Sequence, residues 1–546
     1  MVDGPGTRRE EVRRPWHQAR TALQTKGGAE RCTSILFPDS AQAAKAEETP
    51  VPTCFADLDL DQILDDVLTG FDEYRLRPFF HLPLDDLDAV SYRHEVFTDL
   101  DGTLLARRAV VLADQMRSMR QTLVQATETQ HRYQIRTWLL TAAVTYVDAV
   151  TGLLEDLENA AIASRGLERL RECLAGYVGS EEFQSLCQDM GAARDALSEV
   201  RYTLLFYDKA IFVRPFEDEA DYGAAISSFF DRFRQGEATD HHGQATGPEV
   251  RNRLEEQVLD RVAALFPEAF AALDRFCDAH PSWLDELLVR FEREVQFYLA
   301  WRHLVERLRA AGLAMCFPTL STTSRTEAVR STYDLALALR LVSQTDDPES
   351  PQGLVTNDYR LSGRERIVVV TGPNQGGKTT FARAFGQLHW LASLGCPVPG
   401  AQARLFLADD VLSHFERGEK VEDMRGKLED DLLRIQEILG RASGRSVVIL
   451  NEIFSSTTLH DATLLSREIL AKLSQLDGLV VCVTFIDELA SFDHRTVSMV
   501  VGVDEADPTL RTFKLERRPA DGRAYAVFLA ERYGLSRERI KQRLIR

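Results

Sequence analysis

Apolar positions along this chain follow two periods. From about residue 55 to 345 they recur at i, i+3, i+4 and i+7, as in "FADLDLDQILDDVL" and "RTWLLTAAVTYVDAVTGLLEDLENAA", which is the spacing of one helix face. "SWLDELLVRFEREVQFYLAWRHLVERLRAAG" keeps that spacing up to Gly312, a helix stop. Long helices of this kind predict an extended helical domain over 51–345. A Gly-, Asp-, His- and Pro-rich stretch near 235–248 predicts a loop within it. After the turn-rich "DDPESPQG" the pattern shortens to β-branched runs: "RIVVVTG" (366–372), "SVVILNE" (446–452), "GLVVCVTF" (478–485) and "VSMVVGV" (497–503). Helical segments separate the first three. Strands alternating with helices predict a mostly parallel sheet covered by helices. Strands buried on both faces read as unbroken apolar runs, as these do. Residues 1–50 have little periodicity and much charge, Gly, Ala and Pro, so they predict disorder, with a short apolar patch at "SILF".

The composition leaves this picture standing and narrows its setting. The 546 residues suffice for roughly three to four domains. No run of about 18 apolar residues is present, so no membrane span is expected. The N-terminus lacks the apolar core of a secretory signal. Eight cysteines carry no C-x-x-C pair, which speaks against a zinc site or a disulfide framework and for a reducing cytoplasm. The net charge of −19 weighs against an extended nucleic-acid stripe, although arginine patches can sit on an acidic body.

"VVVTGPNQGGKTTFARAFGQL" is the strongest chemical signal. Gly372-x-x-x-x-Gly377-Lys378-Thr379 fits G-x-x-x-x-G-K-[ST] between a predicted strand and a predicted helix. Glycines let the backbone curl so that its N–H groups face phosphate oxygens, and the helix start adds positive potential. Lys378 is placed to reach the β- and γ-phosphates, and the Thr379 hydroxyl to ligate Mg²⁺. "VVILNEIF" (447–454) supplies the partner strand. There an acid normally faces the metal and a second carboxylate polarises the attacking water. Glu452 can fill the second role, but Asn451 carries no charge in the first. The plain alternative is that both residues merely cap a buried strand.

Together these residues resemble the MutS mismatch-repair ATPases. "TGPNQGGKTT" looks like that family's Pro-Asn version of the phosphate loop. "VTNDYRL" (355–361), "LASLGCPVPGAQARL" (391–405) and "SSTTLHDA" (455–462), with Thr457 and Asp461, resemble further family stretches. "GRAYAVFLAERYGLSRERIKQRL" resembles the closing helix-turn-helix. "LRPFFHLPLDDLDAVSYRHEVFTDL" (76–100) is similar, more faintly, to the start of the family's core domain. The resemblance implies an α + α/β chain: a disordered extension (1–50), a helical core/lever domain (51–345), an ABC-type P-loop ATPase domain with a mostly parallel sheet (346–527), and a helix-turn-helix dimerisation segment (528–546). It implies ATP and Mg²⁺ as cofactors. ATP would be held by Gly372, Pro373, Asn374, Gln375, Gly376, Gly377, Lys378, Thr379 and Thr380, with Asn451 and Phe485 near the γ-phosphate. It also implies a homodimer in which Gly426 and Asp431 serve the partner's nucleotide, and mismatched, branched or otherwise structured DNA as the ligand. The family's mismatch-reading and connector domains are expected to be missing.

Three positions depart from the family pattern together: Asp becomes Asn451, Ser becomes Gly426 and His becomes Phe485. The gripping residues Asn374, Gly377, Lys378 and Thr379 are intact. Binding should survive and hydrolysis should be slow. Two other readings compete: an ATP-bound scaffold that recruits partners without turnover, and a different ABC-type chromosome-maintenance ATPase. The missing coiled-coil heptads argue against the second. His241 and His242 read as solvated loop residues rather than metal ligands. Arg117 and Arg120 read as a helix face that could touch phosphate, and "FYLAW" (297–301) as helix core.

Overall fold

The computed structural model describes residues 34–101, 103–207, 210–218, 248–344, 353–416, 426–504 and 510–520. They fall into two compact units. One comprises Thr103–Ile162 and Glu168–Glu292; the other comprises Ser34–Gly102, Ala163–Leu167 and the chain from Arg293 onward.

The first unit is mostly helical, as its spacing predicts. Helices Thr103–Glu128 and Arg132–Asn159 pack along each other, and Glu181–Ser198 packs on Pro267–Ala279. Arg132–Asn159 is long and apolar enough to cross a membrane by length and composition alone. Its apolar side, including Leu140, Tyr146, Val150 and Leu153, is buried within the unit, and Arg136 pairs with Asp274 (2.7 Å) and Asp278 (2.8 Å). It therefore reads as a core helix. Arg120 is bound to Glu292 (2.6 Å) and Arg117 to Asp114 (2.8 Å), so both arginines already hold carboxylates. One segment departs from the helical expectation: Tyr202–Tyr207 and Ala210–Pro215 form an antiparallel hairpin in which Leu205 faces Phe212. The β-branched and aromatic alternation of "YTLLFY…AIFVRP" explains it. The predicted loop at 235–248, with His241 and His242, lies almost wholly outside the described residues.

The second unit contains two larger sheets. In chain order the strands of these two sheets and the helices between them are β1 (Thr319–Ser321), β2 (Glu327–Thr332), α1 (Leu335–Gln344), β3 (Asn357–Leu361), β4 (Ile367–Thr371), α2 (Lys378–Ser393), β5 (Gln402–Phe406), β6 (Val411–Phe415), α3 (Lys427–Arg441), β7 (Val447–Asn451), α4 (Leu459–Leu476), β8 (Leu479–Val483), β9 (Thr496–Val503) and β10 (Arg511–Arg517). The smaller sheet has the order β1-β5-β2-β3 and the larger β6-β7-β8-β4-β9-β10. In the larger sheet every pairing is parallel except β9 with β10. Parallel pairing brings the carboxyl ends of β4, β7 and β8 to one edge, where α/β sheets place ligands. Every residue of β4, β6, β7 and β8 is buried; apolar runs explain this for β4, β7 and β8, while in β6 the polar Ser413 and His414 are bound to Asp57 and Asp431. β1 and β2 lie in a stretch whose spacing reads as helical; they are short, and β2 alternates between buried and exposed positions.

Part of the predicted disorder of 1–50 is replaced by structure. Ile35, Leu36 and Phe37 are buried, and Glu294 accepts hydrogen bonds from Ser34 Oγ (2.9 Å) and Ile35 N (2.7 Å). Arg93, in the core-like segment 76–100, is fully buried and donates to the carbonyls of Leu36 (2.9 Å) and Leu394 (2.8 Å), the latter capping the end of α2. Phe297, Tyr298 and Trp301 are core residues, as "FYLAW" predicts. The helix-turn-helix reading of 528–546 falls outside the described residues.

Candidate functional site

The loop between β4 and α2 is shaped by backbone that side chains would not tolerate. Gly372 has φ 121° and Gly377 φ 94°, with Gln375 left-handed between them at φ 60°. At Gly376 a Cβ would stand 2.6 Å from Val501 Cγ1 and 3.0 Å from the carbonyl of Pro373. The loop curls around Lys378, whose side chain is only 4% exposed. Its Nζ donates to the carbonyls of Gly372 (3.0 Å) and Pro373 (3.4 Å) and to Asn374 Oδ1 (3.0 Å). Glu452 Oε1 lies 3.7 Å away. Burial lowers the ammonium pKa below its ordinary value, and the Glu452 carboxylate opposes that shift.

Thr379 Oγ1 donates to Asn451 Oδ1 at 3.1 Å, joining the first turn of α2 to the end of β7. Glu452 follows in a left-handed conformation, φ 52°, with its amide donating to Val483 O (2.9 Å). Thr484 caps β8 through its amide to Val370 O (3.1 Å), and the Phe485 ring stands 47% exposed beyond it. A cavity of about 410 Å³ opens against the loop. Asn374, Gln375, Gly377, Lys378, Thr379 and Thr380 line it with Glu452, Tyr333, Asn357 and Phe513. A slightly larger cavity of about 450 Å³, between Pro52–Ala56 and α3, is not phosphate-like: its Arg434 is bound to Asp57 and its Arg441 to Asp410.

Phe513 carries no motif, yet it sits against Gly377 and has φ 57°. Asn357 places it: Nδ2 donates to Phe513 O (3.1 Å), and Oδ1 accepts from Leu515 N (2.8 Å). The only sequence signal was the "VTNDYRL" stretch that contains Asn357. Of the two residues read as serving a partner's nucleotide, Gly426 is exposed at the start of α3 with open space beside it. Asp431 is buried and paired with His414 Nε2 (3.1 Å). Thr457 is half-buried, its amide donating to Phe454 O. Thr458 caps the start of α4: the Asp461 amide donates to Thr458 Oγ1 (3.2 Å), which donates to Asp461 Oδ2 (2.8 Å).

Among the described residues no three His, Cys, Asp or Glu side chains cluster as a metal site. The oxygens at the loop (Thr379 hydroxyl, Asn451 amide, Glu452 carboxylate) still suit a hard cation that keeps several waters and is held partly by phosphate. Their single carboxylate is a weak charge for a divalent ion.

A parallel sheet with a glycine-rich loop wrapped around a lysine at its carboxyl edge defines a P-loop nucleotide-binding domain. Residues 368–542 match the family model for MutS domain V. The chain is 30% identical over 188 residues to the DNA mismatch repair protein MutS of Desulfovibrio desulfuricans, 33% of this chain and 20% of that protein. It is 28% identical over 188 residues to Endonuclease MutS2 of Lactococcus lactis (33% and 24%), and 26% identical over 198 residues to the MutS protein of Aquifex pyrophilus (36% and 23%). Over these C-terminal residues the chain is similar to the MutS proteins. The aligned stretches span between a fifth and a quarter of each of these relatives.

Proposed function

We propose that this chain is an ATP-binding protein of DNA repair or recombination whose ATPase domain works as a nucleotide-switched dimeric clamp on DNA and hydrolyses ATP slowly. The observation that carries the reading is the pairing of a whole phosphate loop with an uncharged residue at the metal-facing position: Lys378 is held by three loop oxygens, while Thr379 meets the Asn451 amide. In bound nucleotide Lys378 exchanges those loop oxygens for phosphate oxygens. The loop amides and the α2 N-terminus face the same charge. Among the described residues Glu452 is the carboxylate that pairs with the lysine, and it is placed to orient an attacking water. Mg²⁺ beside Thr379, Asn451 and Glu452 would supply charge neutralisation between the β- and γ-phosphates. Phe485 offers no donor where a histidine would, so one stabilising contact to the transferring group is absent. Phe513 and Tyr333 line the same cavity and offer aromatic surface to a nucleotide base.

A second reading has its own support. With Asn451, Phe485 and Gly426 all uncharged, the chain could hold ATP as a scaffold that recruits partners without turning it over. Steady-state turnover of the wild type beside Glu452→Gln separates the two: equal rates with intact binding leave only the scaffold. Binding to linear, mismatched and branched duplexes across a salt series tests the DNA half, since phosphate contacts give affinity that falls steeply with salt. A flat response without preference would remove DNA from the proposal.

A further inference from the structure

We propose that Glu416 is a positioning residue that clamps the loop carrying Glu452 to the start of α3. Its catalytic meaning rests on the nucleotide reading above, but its geometry does not.

The segment after β7 is strained twice. Glu452 (φ 52°) and Phe454 (φ 60°) are both left-handed without being glycine, a conformation that persists only where its surroundings hold it. Upstream the holding groups are evident: Glu452 N donates to Val483 O, and Ile453 and Phe454 are 4% and 0% exposed. Downstream no apolar side chain does the same work until α4 begins. There Ser455 Oγ donates to Glu416 Oε1 at 3.0 Å. Glu416 immediately follows Phe415, the register partner of Asn451 across β6 and β7. Its backbone thus stands at the carboxyl edge of the sheet, one strand from Glu452. The same Oε1 accepts from Lys427 Nζ, and Lys427 is the first residue of α3, directly after Gly426. Lys427 and Ser455 together hold the Glu416 carboxyl below its ordinary pKa, with Lys427 the larger influence. One acceptor-only carboxylate therefore joins three elements: the end of β6, the loop beyond β7, and the helix start that carries the exposed Gly426. An ionised carboxylate takes both donors with charge-assisted bonds. A residue without an acceptor would leave the strained segment held from one side only.

Hydrogen exchange on the full chain tests this without requiring turnover. Glu416→Ala should speed exchange of the peptide covering 452–458 about tenfold, the effect of losing a charge-assisted hydrogen bond in a partly exposed setting. Residues 367–371 should be unchanged. Glu416→Gln keeps an acceptor for Ser455 and should fall between, as should Lys427→Met, which removes the charge and spares the Ser455 contact. ATP affinity should stay within about threefold in all three, while turnover falls about tenfold in Glu416→Ala. Exchange of 452–458 within about twofold of wild type in Glu416→Ala would overturn the clamp, whatever happens to turnover. A chain that binds no ATP in any form would sink the nucleotide reading, and the exchange result would still decide the clamp.

Discussion

Replacing Asn451 with aspartate should convert a slow site into a faster and more metal-dependent one. Asn451 is 6% exposed, and its Oδ1 already accepts from Thr379 Oγ1 at 3.1 Å, so a carboxylate keeps that bond and adds one charge. Two terms oppose. In the empty site the new charge is buried beside Glu452, which Lys378 offsets from 3.7 Å, so the apo protein should lose about 1–2 kcal/mol of stability. With the cation present, a unit charge about 5 Å from a divalent ion is attracted by on the order of 6 kcal/mol at an effective dielectric of about 20. If roughly a third of that survives desolvation, Mg²⁺ affinity rises about 30-fold, and turnover should rise by a similar order because the same charge acts on the transition state. The assay is Mg²⁺ titration of turnover, run beside thermal unfolding with and without Mg²⁺–nucleotide. Asn451→Asp should unfold earlier when empty, recover when loaded, and turn over at least tenfold faster. A variant whose rate and half-saturating Mg²⁺ both stay within about twofold of wild type would refute the reasoning, because the amide would then not be what limits the site.

Three further outcomes follow from the same geometry. Gly376→Ala forces a methyl against Val501 and the Pro373 carbonyl and should weaken ATP binding at least tenfold, read by titration of a fluorescent ATP analogue, with a smaller cost to folding. Phe485→His restores a donor on an exposed position and should raise turnover a few-fold while leaving affinity alone; a change confined to affinity would contradict the assigned place of residue 485. Burial lowers the pKa of His94 to about 4, so the unfolded chain binds a proton that the folded chain refuses between about pH 6.5 and 4. Stability from this residue is full above that window and falls as pH drops through it, by about 2 kcal/mol after allowance for partial exposure. Urea unfolding of His94→Phe should show a correspondingly flatter acid limb.

What could be read from the residues alone had a local mechanism. Gly372, Gly377 and Lys378 work within seven consecutive positions, so spacing is enough to place them. Strands β4, β7 and β8 of the larger sheet are buried throughout, and their apolar runs say so. Long-range placement left no such trace. Phe513 stands at the loop on a strand that Asn357, far upstream, helps to pin. Glu416 matters through side chains on two other elements. Asp431 is read from the resemblance as serving a partner's nucleotide, yet its burial is legible in the sequence: it shares the i, i+4, i+7 face of Ile435 and Ile438, the inward side of α3, and buried carboxylates need a partner, here His414. The hairpin at 202–215 shows the opposite difficulty. Its alternation is local but short, and it was submerged in a helical neighbourhood.

The central claim is that this loop grips ATP while the altered acid site turns it over slowly through Glu452. A single experiment reaches it most directly: equilibrate the chain with labelled ATP and Mg²⁺, measure bound nucleotide, then quench over time and measure bound product, for wild type, Lys378→Ala and Glu452→Gln. The account predicts near-stoichiometric binding by wild type and Glu452→Gln, none by Lys378→Ala, and slow product formation in wild type only. Equal binding by Lys378→Ala, or product formed as fast by Glu452→Gln as by wild type, would contradict it.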